Sequence, residues 1–358
     1  MNKTFTGINS ALVELSSLLL TEGVWRKTPG FQSENSSRCK ELPFPIIVTI
    51  DNPQARHVTI PQRKWNRTLP YAESLWIALG SNDLDYLPGK YVNSLYRFSD
   101  DQRTWRAGYG PRIREFSNST KQYDSSLPKD ISSFEVDQLM YCVQLLKEEP
   151  NTRQALITIH DPIKDSIVGL KTKDQPCTRS LHFMKDPEEN SLNMYVHMRS
   201  NDLLFGFSAI NFFNFSWMQE YVADILGFEV GKYFHMVDNF HYYEDFEEKI
   251  IALSKYSLSS AEESDLSQVK AWKSLKETKG KRSTEANFDN SLSVVKEIEH
   301  SSFIKDYLRM YKLEELPFFY YWWGLQFLLK NQKEETLSYL RESKEVLDFL
   351  QIVSSKKE

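Results

Sequence analysis

Four short blocks carry residue types that can do chemistry. They are DQPCTRSLHF at 174–183, MRSNDLLFG at 198–206, INFF at 210–213 and DNFHYYEDF at 238–246. The thiolate of Cys177 could add to carbon and later leave. Arg199 follows a stretch in which Leu192, Met194, Val196 and Met198 alternate with Asn193, Tyr195 and His197. That alternation predicts a half-buried strand with Arg199 on its polar phase. Glu73 lies mid-helix in an apolar run, where burial would raise its pKa. Taken singly, each has a plain reading. An isolated Cys packs in a core, a strand Arg pairs with a surface acid, and a helical Glu faces solvent. Cys39, Cys142 and Cys177 show no CxxC spacing and no HExxH is present, which argues against a zinc site.

Taken in order, the blocks resemble the thymidylate synthase family: Pro-Cys, Arg-Ser-x-Asp, Gly, Asn, then Asp-x-x-His-x-Tyr. Upstream segments agree. YAESLWIALGSNDLDYL (71–87) resembles the family's catalytic-Glu helix, and RAGYGPRIR (106–114) its Tyr-Gly-x-x-x-Arg segment. SSRCKEL (36–42) resembles the phosphate-binding Arg loop, and NTRQALITIHDPIKD (151–165) the strand that reaches into the neighbouring subunit. The resemblance spans about residues 30–250. It implies one-carbon transfer from methylenetetrahydrofolate, as cosubstrate, to carbon 5 of a pyrimidine nucleoside monophosphate. Cys177 would be the nucleophile at carbon 6, with Arg199 lowering its pKa. Glu73 and Tyr109 would manage protons through water, and Asn211 would read the ring. Arg38, Arg199 and Ser200 would hold phosphate, joined by Arg153 acting in trans across a homodimer. His241 and Tyr243 would bind the sugar and Asp202 the folate pterin. No metal is implied.

Four departures bear on the product. Thr178 stands where the family has His after the nucleophile. Gly206 and Asn211 are separated by one extra residue. SLYRFSDDQRTW (94–105) replaces a Trp-rich segment that packs on folate, and the chain's end, QIVSSKKE, lacks the usual closing tail. Hydride transfer needs a closed, dry site, so these losses favour water capture and a hydroxymethyl product. The RSND and Pro-Cys-Thr forms also look like the divergent hydroxymethylase-type branch. Methyl formation, as in a true thymidylate synthase, is the alternative. A nucleotide-binding pseudoenzyme is the alternative of another class. Uracil against cytosine, and ribose against deoxyribose, stay open.

The elements that must position these residues are only partly legible. Periodicity predicts helices over 68–80, 134–149 and 212–226 and from about 241, with strands at 43–50, 153–160, 179–184, 191–199 and 231–237. The resemblance implies an α/β, three-layer fold on a large mixed sheet, with two subunits packed sheet against sheet. Residues 1–254 are expected to form the catalytic domain, 255–290 a mobile polar insertion and 291–358 a helical C-terminal extension. Of 358 residues, 44 are Lys or Arg and 49 Asp or Glu, a net −5 that argues against non-specific nucleic-acid binding as the main task. No apolar run reaches the ~18 residues of a membrane span. Three unpaired cysteines suit a reducing, cytoplasmic setting.

Overall fold

The alternation around Leu192 marks the centre of a six-stranded sheet. The computed structural model describes residues 1–27, 38–85, 92–118, 134–166, 172 and 174–279. The strands of the large sheet are β1 (Asn2–Phe5), β4 (Ile46–Ile50), β7 (Leu156–Thr158), β8 (Thr178–Lys185), β9 (Ser191–Met198) and β11 (Glu229–Val237). Their spatial order is β1-β4-β11-β9-β8-β7. Pairings β1/β4 and β11/β9 are parallel and the rest antiparallel, so the sheet is mixed, as expected. A second sheet joins β10 (Asn201–Asp202), β12 (Phe240–Tyr243), β3 (Arg38–Glu41) and β2 (Val24–Lys27) in that order. A short ribbon pairs β5 (Phe116–Asn118) with β6 (Phe134–Val136).

One sheet face is the core. Leu192, Met194, Val196 and Met198 are buried there with Leu181, Phe183, Tyr233 and Val237. Helix Phe212–Leu226 lies on this face, against β9 and β11, and ends at Gly227 with φ 73°, the left-handed geometry that glycine adopts freely. Helices Thr68–Ala78 and Gln138–Glu148 pack on its other side. Helix Phe212–Leu226 is therefore wrapped on all sides, which explains an apolar content too broad for a surface helix. Its buried Gln219 spans the irregularity in β11: Nε2 lies 2.8, 3.0 and 3.1 Å from the carbonyls of Leu192, Gly231 and Lys232.

Two expectations are corrected. The helix expected from about 241 starts only at Glu247; Phe240–Tyr243 is strand β12, paired with β10 and β3, and tertiary pairing overrides the local pattern there. Residues 258–279 of the supposed mobile insertion form a helix docked on helix Ile8–Glu22. Its anchor is polar. Asp265 is buried and accepts from Asn9 N (3.1 Å), Asn9 Nδ2 (2.8 Å), Ser10 N (2.9 Å) and Ser10 Oγ (2.8 Å). Helix Ile8–Glu22 has Gly7 at its N-cap and no side-chain cap of its own, so Asp265 caps it from a distant helix. Gly7 is obligatory, since a Cβ there would sit 2.6 Å from Asp265 Cγ. Gln268, beside it, donates to His57 O (2.8 Å) and accepts from His57 N (2.9 Å). The C-terminal extension expected at 291–358 lies outside the described residues.

Candidate active site

Cys177 immediately precedes β8, half-buried. Its carbonyl accepts from Arg199 N (2.9 Å), which joins the nucleophile's turn to the end of β9. The Arg199 guanidinium clasps the same turn: Nε donates to Pro176 O (3.0 Å) and Nη2 to Gln175 O (3.2 Å). Arg199 does pull the Cys177 thiol pKa down, as expected. Burial is the larger effect, however, and Asp174 adds to it, so the net shift is upward. Burial, which no motif reports, therefore outweighs the lowering by Arg199.

Tyr109 opens the short helix Tyr109–Arg114, which a polar scaffold fixes. Asp174 accepts from Ala107 N (2.8 Å), and Arg112 grips Asp165 through two contacts of 2.6 and 2.8 Å. The Tyr109 hydroxyl oxygen accepts from Thr178 Oγ1 (2.9 Å). Burial and the neighbouring Cys177 push its pKa up. The residue that replaces the family's His is thus tied directly to Tyr109.

Behind Tyr109 stands helix Phe212–Leu226. Phe215 stacks on the Tyr109 ring at 6.0 Å, and the adjacent Asn214 reaches Glu73. Glu73, on helix Thr68–Ala78, is 5% exposed, and burial pushes its pKa up to about 8. Its Oε1 accepts from Asn214 Nδ2 (3.3 Å), while Oε2 is buried with no partner among the described residues. Asn214 was not singled out from sequence; the signal was its place one turn beyond Asn211.

Asn211 ends a π-helical segment, Leu203–Asn211. A wide turn absorbs one extra residue. This accounts for the longer Gly206–Asn211 spacing and leaves the following helix in phase. Asp202 caps the segment, accepting from Leu204 N (2.8 Å) and from Phe205 N. Arg63 donates to Leu204 O, and Trp65 Nε1 to Ala209 O (3.1 Å), so neighbouring side chains serve the turn's carbonyls. A Cβ on Gly206 would lie 1.9 Å from Asn201 Oδ1 and 3.0 Å from Asn211 Oδ1, so only glycine lets these amides approach.

Strand β12 brings His241 and Tyr243, whose rings meet edge-on at 5.2 Å. Tyr243 has its pKa raised by burial, then by Asp202, Cys39 and Cys177, which places it among these groups. Two buried polar atoms here have no partner among the described residues: Asp202 Oδ2 and His241 Nδ1. Orphaned buried acceptors and donors of this kind suit a polar ligand. Ser200 Oγ stands 3.4 Å from Asn239 Oδ1.

The two remaining phosphate candidates are less convergent. Arg38 pairs with Glu244 (3.0 Å) and lies over the Trp25 ring at 4.6 Å. Arg153 is exposed beyond the far edge of the sheet, just before β7, and its carbonyl lies 3.1 Å from His182 Nε2. The structure therefore sets Cys177, Arg199 and Tyr109 together, with Asp202, His241 and Tyr243 on the paired β10 and β12. It ties Glu73 to Asn214, the neighbour of the Phe215 that stacks on Tyr109, holds Asn211 at the Gly206 turn, and leaves Arg153 exposed at the sheet edge. Among the described residues no group of three or more His, Cys, Asp or Glu is placed to hold a metal, and no helix is long and apolar enough to cross a membrane.

Comparison with known proteins gives the same picture. A deoxyuridylate hydroxymethyltransferase of Bacillus phage SP01 is 35% identical over 58% of this chain and 51% of its own length. Another, from Delftia phage PhiW-14, is 31% identical over 56% of this chain and 52% of its own. A thymidylate synthase of Bacillus licheniformis is 27% identical over 54% of this chain and 62% of its own. This chain thus spans about half the length of the phage relatives. The solved structure of thermostable thymidylate synthase A from Bacillus subtilis superposes with a TM-score of 0.55 at 18% identity, covering 70% of this chain and 85% of that one. The thymidylate synthase family pattern matches residues 49–290, and the chain belongs to that family.

Proposed function

We propose that the protein is a pyrimidine nucleotide hydroxymethylase, with deoxyuridylate as the first-choice substrate and methylenetetrahydrofolate as cosubstrate. The observation that carries this reading is Cys177 held at the start of β8 beside the Tyr109–Thr178 pair and clasped by Arg199. Carbon 5 of a pyrimidine is a poor nucleophile. Addition of the Cys177 thiolate at carbon 6 makes carbon 5 enolate-like, so it attacks the one-carbon unit. Glu73, with its raised pKa, donates and accepts protons near neutral pH. Loss of the carbon 5 proton and of tetrahydrofolate, as the C–N bond to the one-carbon unit breaks, leaves an exocyclic methylene; once that is captured, Cys177 leaves as the carbon 6 bond breaks.

The outcome turns on what captures the exocyclic methylene. Water gives hydroxymethyl; hydride from tetrahydrofolate gives methyl. Trp105 supports the first. It is half-buried edge-on against Trp76 at 5.5 Å, with Nε1 toward Leu95 O, so it serves the core rather than a folate wall. The names of the phage relatives support it too. The unpartnered Asp202 Oδ2 suits a pterin N–H donor.

Incubation with methylenetetrahydrofolate and dUMP, dCMP, UMP or CMP, followed by mass spectrometry, tests this. The expected result is a hydroxymethyl gain on dUMP without dihydrofolate. A methyl gain with dihydrofolate replaces it with thymidylate synthesis. Unchanged but bound nucleotide replaces it with the pseudoenzyme reading.

We also propose a homodimer, formed through the sheet face turned away from the helices. Leu156, His182, Tyr195 and Phe234 run across that face in register, and Tyr195 stacks on Phe234 at 4.6 Å. Leu156 is 45% exposed. Pairing two such faces would bring Arg153 toward the other subunit's phosphate. Mixing inactive Cys177→Ala and Arg153→Ala chains should then restore roughly a quarter of wild-type activity, because half the sites in each mixed dimer are intact. Absence of recovery in a mixture shown to exchange subunits would refute the trans assignment.

A further inference from the structure

We propose that Asn214 is a positioning residue whose side-chain amide turns over with the protonation of Glu73, so that the buried acid is hydrogen-bonded in both proton states. This rests on the reading of Glu73 as the general acid/base.

The geometry contains a proton that is claimed twice. Ser74 Oγ lies 2.7 Å from Asn214 Oδ1 and 2.8 Å from Pro70 O. A serine hydroxyl has one hydrogen, and a carbonyl oxygen can only accept. Ser74 therefore cannot donate to both at once. Two arrangements satisfy the triad. With Glu73 ionised, Asn214 Nδ2 donates to Glu73 Oε1, and Ser74 Oγ donates to Asn214 Oδ1. With Glu73 protonated, its O–H needs an acceptor. A half-turn of the amide then presents Oδ1 to Glu73 and Nδ2 to Ser74 Oγ, which passes its own hydrogen to Pro70 O. One proton enters the triad, and its hydrogen bonds rise from two to three.

Burial makes the alternative costly. Glu73 is 5% and Asn214 1% exposed, and Ser74 is fully buried. A fixed amide would serve only one proton state: with Nδ2 toward Glu73 the acid's O–H would find no acceptor among the described residues, and with Oδ1 toward it the carboxylate would face a second acceptor. An amide that turns removes that penalty from both halves of a catalytic cycle. The surroundings leave the task to Asn214. The elements packed on helix Thr68–Ala78 are Tyr109–Arg114, Leu203–Asn211 and Phe212–Leu226. Their titratable side chains are Tyr109, Arg112, Arg114, Glu220, Tyr221 and Asp224. Of these, Arg112 pairs with Asp165, Arg114 with Asp137, Glu220 with Arg56, and Tyr109 bonds Thr178. On its own helix, Tyr71 bonds His57. Asn214 is the sole hydrogen-bond partner of Glu73 among the described residues. Burial, opposed by the Asn214 bond, puts the Glu73 pKa at about 8, so both states occur near neutral pH.

Infrared difference spectra of the ligand-free full chain test the idea, with isotope-labelled asparagine and Glu73→Gln and Asn214→Leu as references. The Glu73 carboxyl band and one asparagine amide band should change with the same midpoint. Asn214→Leu removes both bonds, of which the charge-assisted one to the carboxylate is the stronger, and should therefore raise the Glu73 midpoint by about one unit, a tenfold gain in proton affinity. The acid limb of the kcat profile should move with it. A carboxyl that titrates while every asparagine band stays still overturns the proposal, as does an unchanged midpoint in Asn214→Leu. Should that variant fail to fold, the labelled wild-type spectrum decides alone. If Glu73→Gln keeps full turnover while the wild type shows the coupled bands, it is the acid/base reading that fails.

Discussion

Cys177→Ala is expected to cut turnover by at least about 10⁴-fold while nucleotide affinity changes by no more than about threefold. The reaction needs a covalent bond at carbon 6, and no second thiol can supply it. Cys39 and Cys142 are buried, and burial pushes the Cys142 pKa up to about 12. In the proposed reading, by contrast, binding is spread over Arg199, Ser200, Asn211, His241 and Tyr243. Calorimetry with dUMP separates the two quantities. Loss of binding in step with turnover would mean that Cys177 serves structure. The same thiol gives a pH prediction. Its pKa is raised by burial and lowered by Arg199, so alkylation of the ligand-free chain should speed up as pH rises. Arg199→Met removes a positive charge, raises the thiol pKa further and should slow alkylation about tenfold at pH 8.

Asp265→Ala should produce the largest loss of stability, about 3 kcal/mol. It strips the acceptor from the backbone N–H groups of Asn9 and Ser10, both buried at the start of helix Ile8–Glu22. The Asn9 and Ser10 side chains keep second acceptors, His57 O and Gly7 O, so the cost falls mainly on the two backbone groups. The thermal unfolding midpoint should drop by about 4–5 °C. An unchanged midpoint would mean that the two helices are held by apolar contact alone. Burial pushes the Asp265 carboxyl pKa up to about 6, against the bonds from Ser10 and Asn9. A folded-state value above the unfolded one, near 4, means folding favours the protonated form. That contribution is complete below about pH 4 and is lost as pH rises through 6. Asp265→Asn should flatten this part of the stability curve.

The candidate site residues could be singled out because local motifs carry them: Cys177 follows a proline, and Arg199 and Asp202 lie three residues apart. The sheet was legible because Leu192–Met198 alternate cleanly. The docked helix Leu258–Lys279 was not, since its anchors, Asp265 and Gln268, are polar and mimic a solvated surface in any hydrophobic pattern. Strand β12 was missed because its partners, β3 and β10, lie far away in the chain. Asn214 was hidden because its importance comes from Glu73, on a separate helix. The effect of Arg199 on Cys177 was legible and the net direction was not, because a nearby Arg is readable from a motif, whereas depth of burial is not.

The remote cap also sets an order of assembly. Ser10 and Asp265 are 255 residues apart in the chain. At roughly 5–20 residues per second, a ribosome makes the first helix tens of seconds before the carboxylate that completes it. Until then the emerging chain exposes an apolar helix with open N–H groups, the kind of surface that chaperones hold. Helix Ile8–Glu22 is thus closed long after it is made. Premature termination before residue 265 would leave it open for good.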